Sequence, residues 1–266
     1  MPRLSSALAA ELAGTAHALA DAARPETMRH FRIGTAAYNK RADGFDPVTE
    51  GDRAAERAMR AVLAIRRPDD AILGEEFGAS AGSTGLTWVL DPIDGTRAYL
   101  AGAPSWGVLV AVSDADGPIL GLIDQPHIQE RFYGGPDGAR YTGPTGARDI
   151  RVAPDRPLSD AILMTTVPEV GTAAERDAFA RVSAEVRLTR YGLDCYAYAL
   201  LAMGQVDLVI EAGLQPYDIQ GPMAVIHAAG GIVTDWTGGP ARDGGRVIAA
   251  SGPALHRAAM AHLAGE

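Results

Sequence analysis

A layered α/β fold in two closely packed halves is the architecture this chain predicts, on three observations. Its 266 residues amount to nearly two ordinary domains of about 150 residues. Apolar residues fill 47% of positions and charged residues 21%, the balance of a chain that buries a large core rather than of a disordered, collagenous or coiled-coil one. Helical and strand rhythms alternate through the second half, as they do when helices stack on a sheet.

The elements follow in order. Leu4, Leu8, Leu12 and Leu19 recur at helical spacing and predict an opening amphipathic helix. Glu11 falls inside it, where a signal peptide would be apolar. The polar, glycine-bearing segment from Asn39 to Pro47 reads as a mobile loop. Ala55, Met59, Val62 and Ile65 set the stripe of a second helix, which Arg66-Arg67-Pro68 closes. Short apolar runs between turns, at 71–73, 88–90, 106–112, 119–123 and 130–133, read as strands, with a hairpin across Asp116-Gly117. The rhythm changes at Pro154 and Pro157, which divides the chain into an N-terminal α+β half (1–153) and a C-terminal α/β half (154–266). Beyond that boundary, helices at 173–184, 194–203, 222–229 and 253–263 alternate with strands at 161–164, 206–210, 232–235 and 247–250.

Charge and cysteine content narrow the function. With 24 basic and 33 acidic residues the net charge is −9, so broad capture of nucleic acid is not expected and a small ligand or a metal fits better. Cys195 is the only cysteine, which leaves no intrachain disulfide, Cys-based zinc cluster or iron–sulfur cluster and makes the cytoplasm the natural compartment. The most apolar stretch, 106–112, is far short of the roughly 20 residues that cross a bilayer, so no membrane partner is expected.

The chemistry concentrates in Trp88-Val89-Leu90-Asp91-Pro92-Ile93-Asp94-Gly95-Thr96. An apolar strand delivers Asp91, Pro92 keeps that residue out of helical conformation, and Asp94-Gly95-Thr96 opens a helix. Two carboxylates at such a corner can share a hard cation, and the Gly95 and Thr96 amides suit a phosphate. Asp-Gly also occurs at 43, 116, 137 and 243, where it is turn punctuation, so this pair alone decides nothing. Its company matters more. Glu75-Glu76 follows another apolar strand, and Tyr217-Asp218 precedes a helix, although either pair also reads as a cap or a solvated face. Element ends are where α/β folds gather ligand groups. The chain lacks a G-x-S-x-G elbow, a phosphate-binding P-loop and zinc-spaced histidines. Carboxylates about 4 Å apart repel by about 4 kcal/mol at an effective dielectric near 20, so a converged cluster calls for cations. All-oxygen ligands select Mg²⁺, Mn²⁺ or Ca²⁺. Metal-assisted transfer of a phosphoryl group to water is the leading reading.

Gly74-Glu75-Glu76, Asp91-Pro92-Ile93-Asp94-Gly95-Thr96 and Tyr217-Asp218 with Ala229-Gly230-Gly231 resemble the signatures of the inositol monophosphatase family. Lys40, Pro47-Val48-Thr49 and Asp52 look like its metal-loop segment, and the likeness runs in order from residue 40 to 235. The resemblance implies an α-β-α-β-α sandwich shared with the fructose-1,6-bisphosphatases, and Mg²⁺-dependent hydrolysis of a small phosphate monoester. It also implies two to three ions per site, with Mn²⁺ as a substitute. Residue by residue, Glu75, Asp91 and the main-chain oxygen of Ile93 look like ligands of one metal, and Asp91, Asp94 and Asp218 like ligands of a second. Glu75 also looks like a contact of a third ion. Asp52 and Thr96 would orient the attacking water, the Gly95 and Thr96 amides would hold phosphate, and Lys40 would sit on the mobile loop.

Three further stretches resemble the histidinol-phosphate phosphatase branch: Gly121 to Pro126 with Glu130-Arg131, Arg190-Tyr191-Gly192 with Asp194-Cys195-Tyr196, and Asp207 to Ala212. The first also reads as a plain hairpin end. Asp194 and Glu211 would contact the substrate, and Arg190 would reach a site in a neighbouring subunit of a homodimer, though Arg190 could equally cap a helix or pair with an acid. Gln220-Gly221-Pro222-Met223 and His227 depart from the pattern after Asp218, and His227 reads as a packed or surface residue. Inositol 1-phosphate and 3′-phosphoadenosine phosphatases share the metal core and stand as alternatives. A regulatory member of the family, acting through a protein or RNA partner, is the non-enzymatic one.

Overall fold

The computed structural model describes residues 5–34, 37–39 and 47–265. Helix α1 (Ser6–His30) starts at an N-cap, where Ser5 Oγ accepts the Leu8 amide at 3.2 Å. Leu12 and Leu19 of the expected stripe are buried in it, and Leu4 lies outside the described residues. Strands β1 (Ala37–Asn39) and β2 (Pro47–Thr49) pair antiparallel at the two ends of the segment read as a mobile loop. Residues 40–46 between them, Lys40 included, lie outside the described residues.

Helix α2 (Glu50–Arg66) is opened by a capping box: Thr49 Oγ1 accepts the Gly51 amide and the Asp52 carboxylate accepts the Thr49 amide at 2.8 Å. Its buried stripe is Ala55, Met59 and Leu63, whereas Ile65, expected on that stripe, is 83% exposed. A residue two places past Leu63 is rotated by about 200°, onto the opposite side of the helix.

The two helices pack together and cover one face of an eight-stranded sheet. Its strands are β3 (Ala71–Gly74), β4 (Gly78–Ser80), β5 (Thr87–Asp94), β6 (Gly107–Asp114), β7 (Gly117–Gln125), β8 (Glu130–Gly135), β9 (Gly138–Gly143) and β10 (Gly146–Asp149). They lie in the order β10-β9-β8-β7-β6-β5-β3-β4, all antiparallel except the β3–β5 pair. The expected hairpin is present, with Asp114 opposite Gly117. A short helix α3 (Thr96–Ala101) follows β5. The second sheet runs β12-β11-β13-β15-β14, from β11 (Ile162–Thr165), β12 (Leu188–Tyr191), β13 (Leu208–Leu214), β14 (Ile232–Asp235) and β15 (Gly245–Ala250). Helices α4 (Ala173–Glu185), α5 (Cys195–Ala202), α6 (Pro216–Ala228) and α7 (Pro253–Ala264) complete the chain.

Alternation of side chains along the strands builds the layers. Trp88, Leu90, Val108, Val110, Val112, Leu120 and Leu122 face α1 and α2, while Leu109, Ile123, Phe132 and Tyr141 face the other way, onto α5 and α6. Across those helices lie Met164, Val209, Val247 and Ala249 of the second sheet, whose far side packs Leu163, Leu208, Ile210 and Ile248 on α4 and α7. The result is the expected α-β-α-β-α sandwich. Burial on both faces makes 108–112 read as one unbroken apolar run.

Besides β1 and β2, four more strands escaped the pattern reading. β4 and β10 are fully exposed and β12 nearly so, and β9 alternates tyrosine and alanine with polar residues. Helix α6 starts six residues before the expected Pro222, at Pro216, because Asp218 in its first turn accepts the Gln215 amide at 2.7 Å and fixes the start there. Among the described residues no helix is long and apolar enough to cross a membrane.

The middle layer leaves no room at its centre. A Cβ on Gly121 of β7 would sit 2.4 Å from the Gly221 oxygen of α6, so that helix presses its backbone directly on the first sheet. Gly14 of α1 meets nothing within 4 Å. Gly121→Ala is therefore expected to lower the melting temperature by an amount equivalent to about 1–3 kcal/mol. Gly14→Ala is expected to raise it by the equivalent of about 0.5–1 kcal/mol, and thermal melts of the two variants read both signs.

Candidate metal centre

Strand register brings the first acids together. β3 and β5 run parallel with Gly74 opposite Leu90, and the Glu75 amide donates to the Leu90 oxygen at 3.1 Å, which sets Glu75 beside Asp91. β5 does not end at Asp91 as expected but runs on to Asp94 with a register shift between the two, at Pro92, which has no ladder donor. The Asp91 carboxylate accepts the Ile93 amide at 3.0 Å. Gly95 then adopts φ 82°, a left-handed conformation suited to glycine, and starts α3 as expected. The Ile93 carbonyl accepts the Thr96 hydroxyl at 3.2 Å.

The opposite wall comes from the second half. The start of α5 donates the Cys195 amide to Asp94 at 2.7 Å, and α6 carries Asp218. Carboxylate oxygens of Asp91, Asp94 and Asp218 lie within 4.8 Å of one another. The cavity beside them measures about 500 Å³ and is lined by Glu75, Asp94, Asp194, Glu211 and Asp218. Among the described lining residues Arg97 is the one cation.

These acids hold protons far more tightly than free carboxylates. Burial, and then the neighbouring charges of Glu75, Asp94 and Asp218, raise Asp91 well above the ordinary range. Burial, then Asp194 and Asp218, do the same to Asp94. Asp218 is pushed up to about 7 by burial against the pull of the Gln215 amide. Such a set can be balanced by a hard cation, since its donors are all oxygens.

The remaining expected residues fall at graded distances from this centre. Asp52 is buried and held by the Thr49 amide and hydroxyl, and its other oxygen faces the Thr96 hydroxyl at 3.5 Å; burial lifts it to about 6. Asp194 lies against Gly95, where a Cβ would come within 2.6 Å of its carboxyl carbon, and it accepts the Ser105 hydroxyl at 2.9 Å. Glu211 is clasped by the Thr166 amide at 2.7 Å and by the hydroxyls of Thr166 and Thr165 at 2.8 and 3.1 Å, and burial still lifts it to about 7. Arg190 does not join them. It is exposed on β12, the edge strand of the second sheet, outside the lining of its own cleft. His227 is exposed near the end of α6, away from the metal centre.

Sequence reading missed several groups of the site. Thr165 and Thr166 stand at the end of β11, which runs parallel to β13, so the rule that gathers ligand groups at strand ends could have found them. Tyr198, one helical turn after Asp194, lines the cavity with its hydroxyl buried and without a hydrogen-bond partner, and reads in sequence only as a core aromatic. Glu56, one turn after Asp52, is fully buried on the packed side of α2.

A family model for the inositol monophosphatase family matches residues 8–265. The bifunctional phosphatase IMPL2 of Arabidopsis thaliana is 44% identical over 228 residues, covering 85% of this chain but only 64% of the plant protein. A histidinol-phosphatase of Streptomyces coelicolor is 35% identical over 93% of this chain and 95% of its own. An inositol monophosphatase from Zymomonas mobilis superposes with a TM-score of 0.83 at 37% identity, covering 94% and 96% of the two chains. A match along almost the entire length, shared with relatives of the same layered shape, means that the chain belongs to the inositol monophosphatase family and is a phosphatase acting on phosphate monoesters.

Proposed function

We propose that the chain is a Mg²⁺-dependent histidinol-phosphate phosphatase, releasing histidinol and inorganic phosphate. The observation that carries this reading is the acidic cavity whose lining holds Asp194 and Glu211 together with Asp94 and Asp218 of the candidate metal centre. Asp94 and Asp218 would hold the cations that attract the phosphate, and Asp194 and Glu211 would complement a cationic amino alcohol. The name of the Streptomyces coelicolor relative, a histidinol-phosphatase, supports the same substrate.

Glu75, Asp91, the Ile93 carbonyl, Asp94 and Asp218 would hold two to three Mg²⁺ ions, with Mn²⁺ as a substitute. When bound, divalent cations lower the pKa of water and neutralise charge on the attacking and departing oxygens. The protein's own groups do the positioning. Asp52 and the Thr96 hydroxyl orient water in line with the phosphorus–oxygen bond to the alcohol, and the Gly95 and Thr96 amides hold the phosphate oxygens. Water's oxygen bonds to phosphorus as the alcohol oxygen departs and takes up a proton. Asp194 and Glu211 bind the alcohol's polar end. Arg190 would serve a partner copy in a homodimer; its exposure on an edge strand between Leu188 and Tyr191, themselves exposed apolar residues, supports this. The lone buried Cys195 suits a cytoplasmic protein.

A phosphate-release screen with and without chelator tests the reading. Histidinol phosphate is expected to turn over fastest and chelator to abolish release; faster release from inositol 1-phosphate or 3′-phosphoadenosine would move the substrate assignment to that compound. No release from any monoester would favour the regulatory alternative. Asp94→Asn removes a ligand charge at constant volume, and is expected to lower kcat by at least about 100-fold with an unchanged circular dichroism spectrum.

Stability should depend on pH in the same terms. In the metal-free fold Asp52 titrates at about 6 and Asp218 and Glu211 at about 7, against roughly 4 in an unfolded chain. The folded state therefore binds extra protons, and the stability they contribute is complete below about pH 4 and lost as pH rises through about 6–7. With chelator present the melting temperature is expected to be higher at pH 5 than at pH 8, and Mg²⁺ at pH 8 is expected to recover the difference. A metal-free melt that rises from pH 5 to pH 8 would contradict this.

A further inference from the structure

We propose that Glu56 is a positioning residue for the metal centre, acting through Glu75; this rests on the reading of Glu75 as a metal ligand. A glutamate buried completely inside a fold needs a reason, because the charge must be compensated where it lies. Glu56 has three partners. One oxygen accepts the Glu76 amide at 2.7 Å, and the other accepts the Phe77 amide at 3.3 Å and the Arg60 Nε at 2.7 Å. Arg60 then reaches across the β3–β4 turn to the Gly78 carbonyl at 2.5 Å and the Ser80 hydroxyl at 3.0 Å.

Residue 75 is thus fixed from both sides. Its own amide is tied to Leu90 of β5, and the two amides that follow are tied to α2 through one carboxylate. Gly74 makes the approach possible, since a Cβ there would lie 2.0 Å from Glu56 Oε1. A two-strand turn that merely reversed the chain would leave those amides to water; here they are bonded to a helix that also presents Asp52 to Thr96, one turn earlier. Helix α2 therefore sets the spacing between the Asp52 and Glu75 sides of the centre. Gln in place of Glu56 would keep the shape but bring an NH₂ group up to donors, so at least one of the three bonds is lost.

Mn²⁺ binding to the substrate-free protein tests this, by titration with electron paramagnetic resonance of the free ion. Outer-shell partners of metal ligands are worth about 10–100-fold in metal affinity, and Glu56→Gln is expected to weaken Mn²⁺ within that range while the protein still melts cooperatively. Glu75→Gln and the double variant complete a cycle in which the two effects are expected to be strongly non-additive. Wild-type Mn²⁺ affinity in folded Glu56→Gln, or simple additivity with Glu75→Gln, would overturn the role, even if the melting temperature fell. Should Glu56→Gln not fold, Arg60→Gln decides: a loss of several-fold in Mn²⁺ affinity supports the clamp, and unchanged affinity removes it. Absence of Mn²⁺ uptake by the wild-type protein would remove the metal centre itself, a different failure.

Discussion

Mutual repulsion of carboxylates is the constraint around which this fold is organised. Asp91, Asp94 and Asp218 approach within 4.8 Å although burial first, and then the charge of neighbouring carboxylates, drive all three toward holding protons. No local preference of the chain would collect them. They are collected by layers of apolar packing, because β5 is locked between the α1–α2 pair and the middle helices while α6 lies across the same sheet with its N-terminus directed at the strand's end. Close contact of Gly121 with Gly221 sets how near α6 can come. Core packing thus supplies the work of holding like charges together, and the site that results favours a divalent cation.

The second half of the chain adds further groups to the lining of the cavity. Glu211 extends from β13 and is clasped by Thr165 and Thr166 from the neighbouring strand, so its position is as rigid as the sheet. Asp194 covers Gly95 at the start of α5 and joins the two halves across the cleft.

Much of this was legible in the sequence wherever local chemistry punctuates the chain. Asp91-Pro92-Ile93-Asp94-Gly95 marks a strand-to-helix corner by proline, glycine and acid alone, and the same corner is present in the structure. Helices α4, α5 and α7 lie within a residue or two of their apolar patterns. What escaped depends on partners distant in sequence. Exposed strands such as β10 and β12 hold their place through backbone pairing and carry no apolar signal. Ile65 looked like core until the run Ala55-Met59-Leu63 fixed which side of α2 faces inward. Nothing in the sequence singles out Glu56 or Tyr198, and only the assembled layers put one under the Glu75 turn and the other beside the acids.

The central claim is that these particular acids share divalent cations, and anomalous diffraction from crystals grown with Mn²⁺ measures it most directly. The account requires at least two Mn²⁺ peaks, one between Asp91 and Glu75 and one among Asp91, Asp94 and Asp218, with Asp91 touching both. Peaks absent from that cluster, or ions bound elsewhere while the three carboxylates stay protonated and paired with one another, would contradict it.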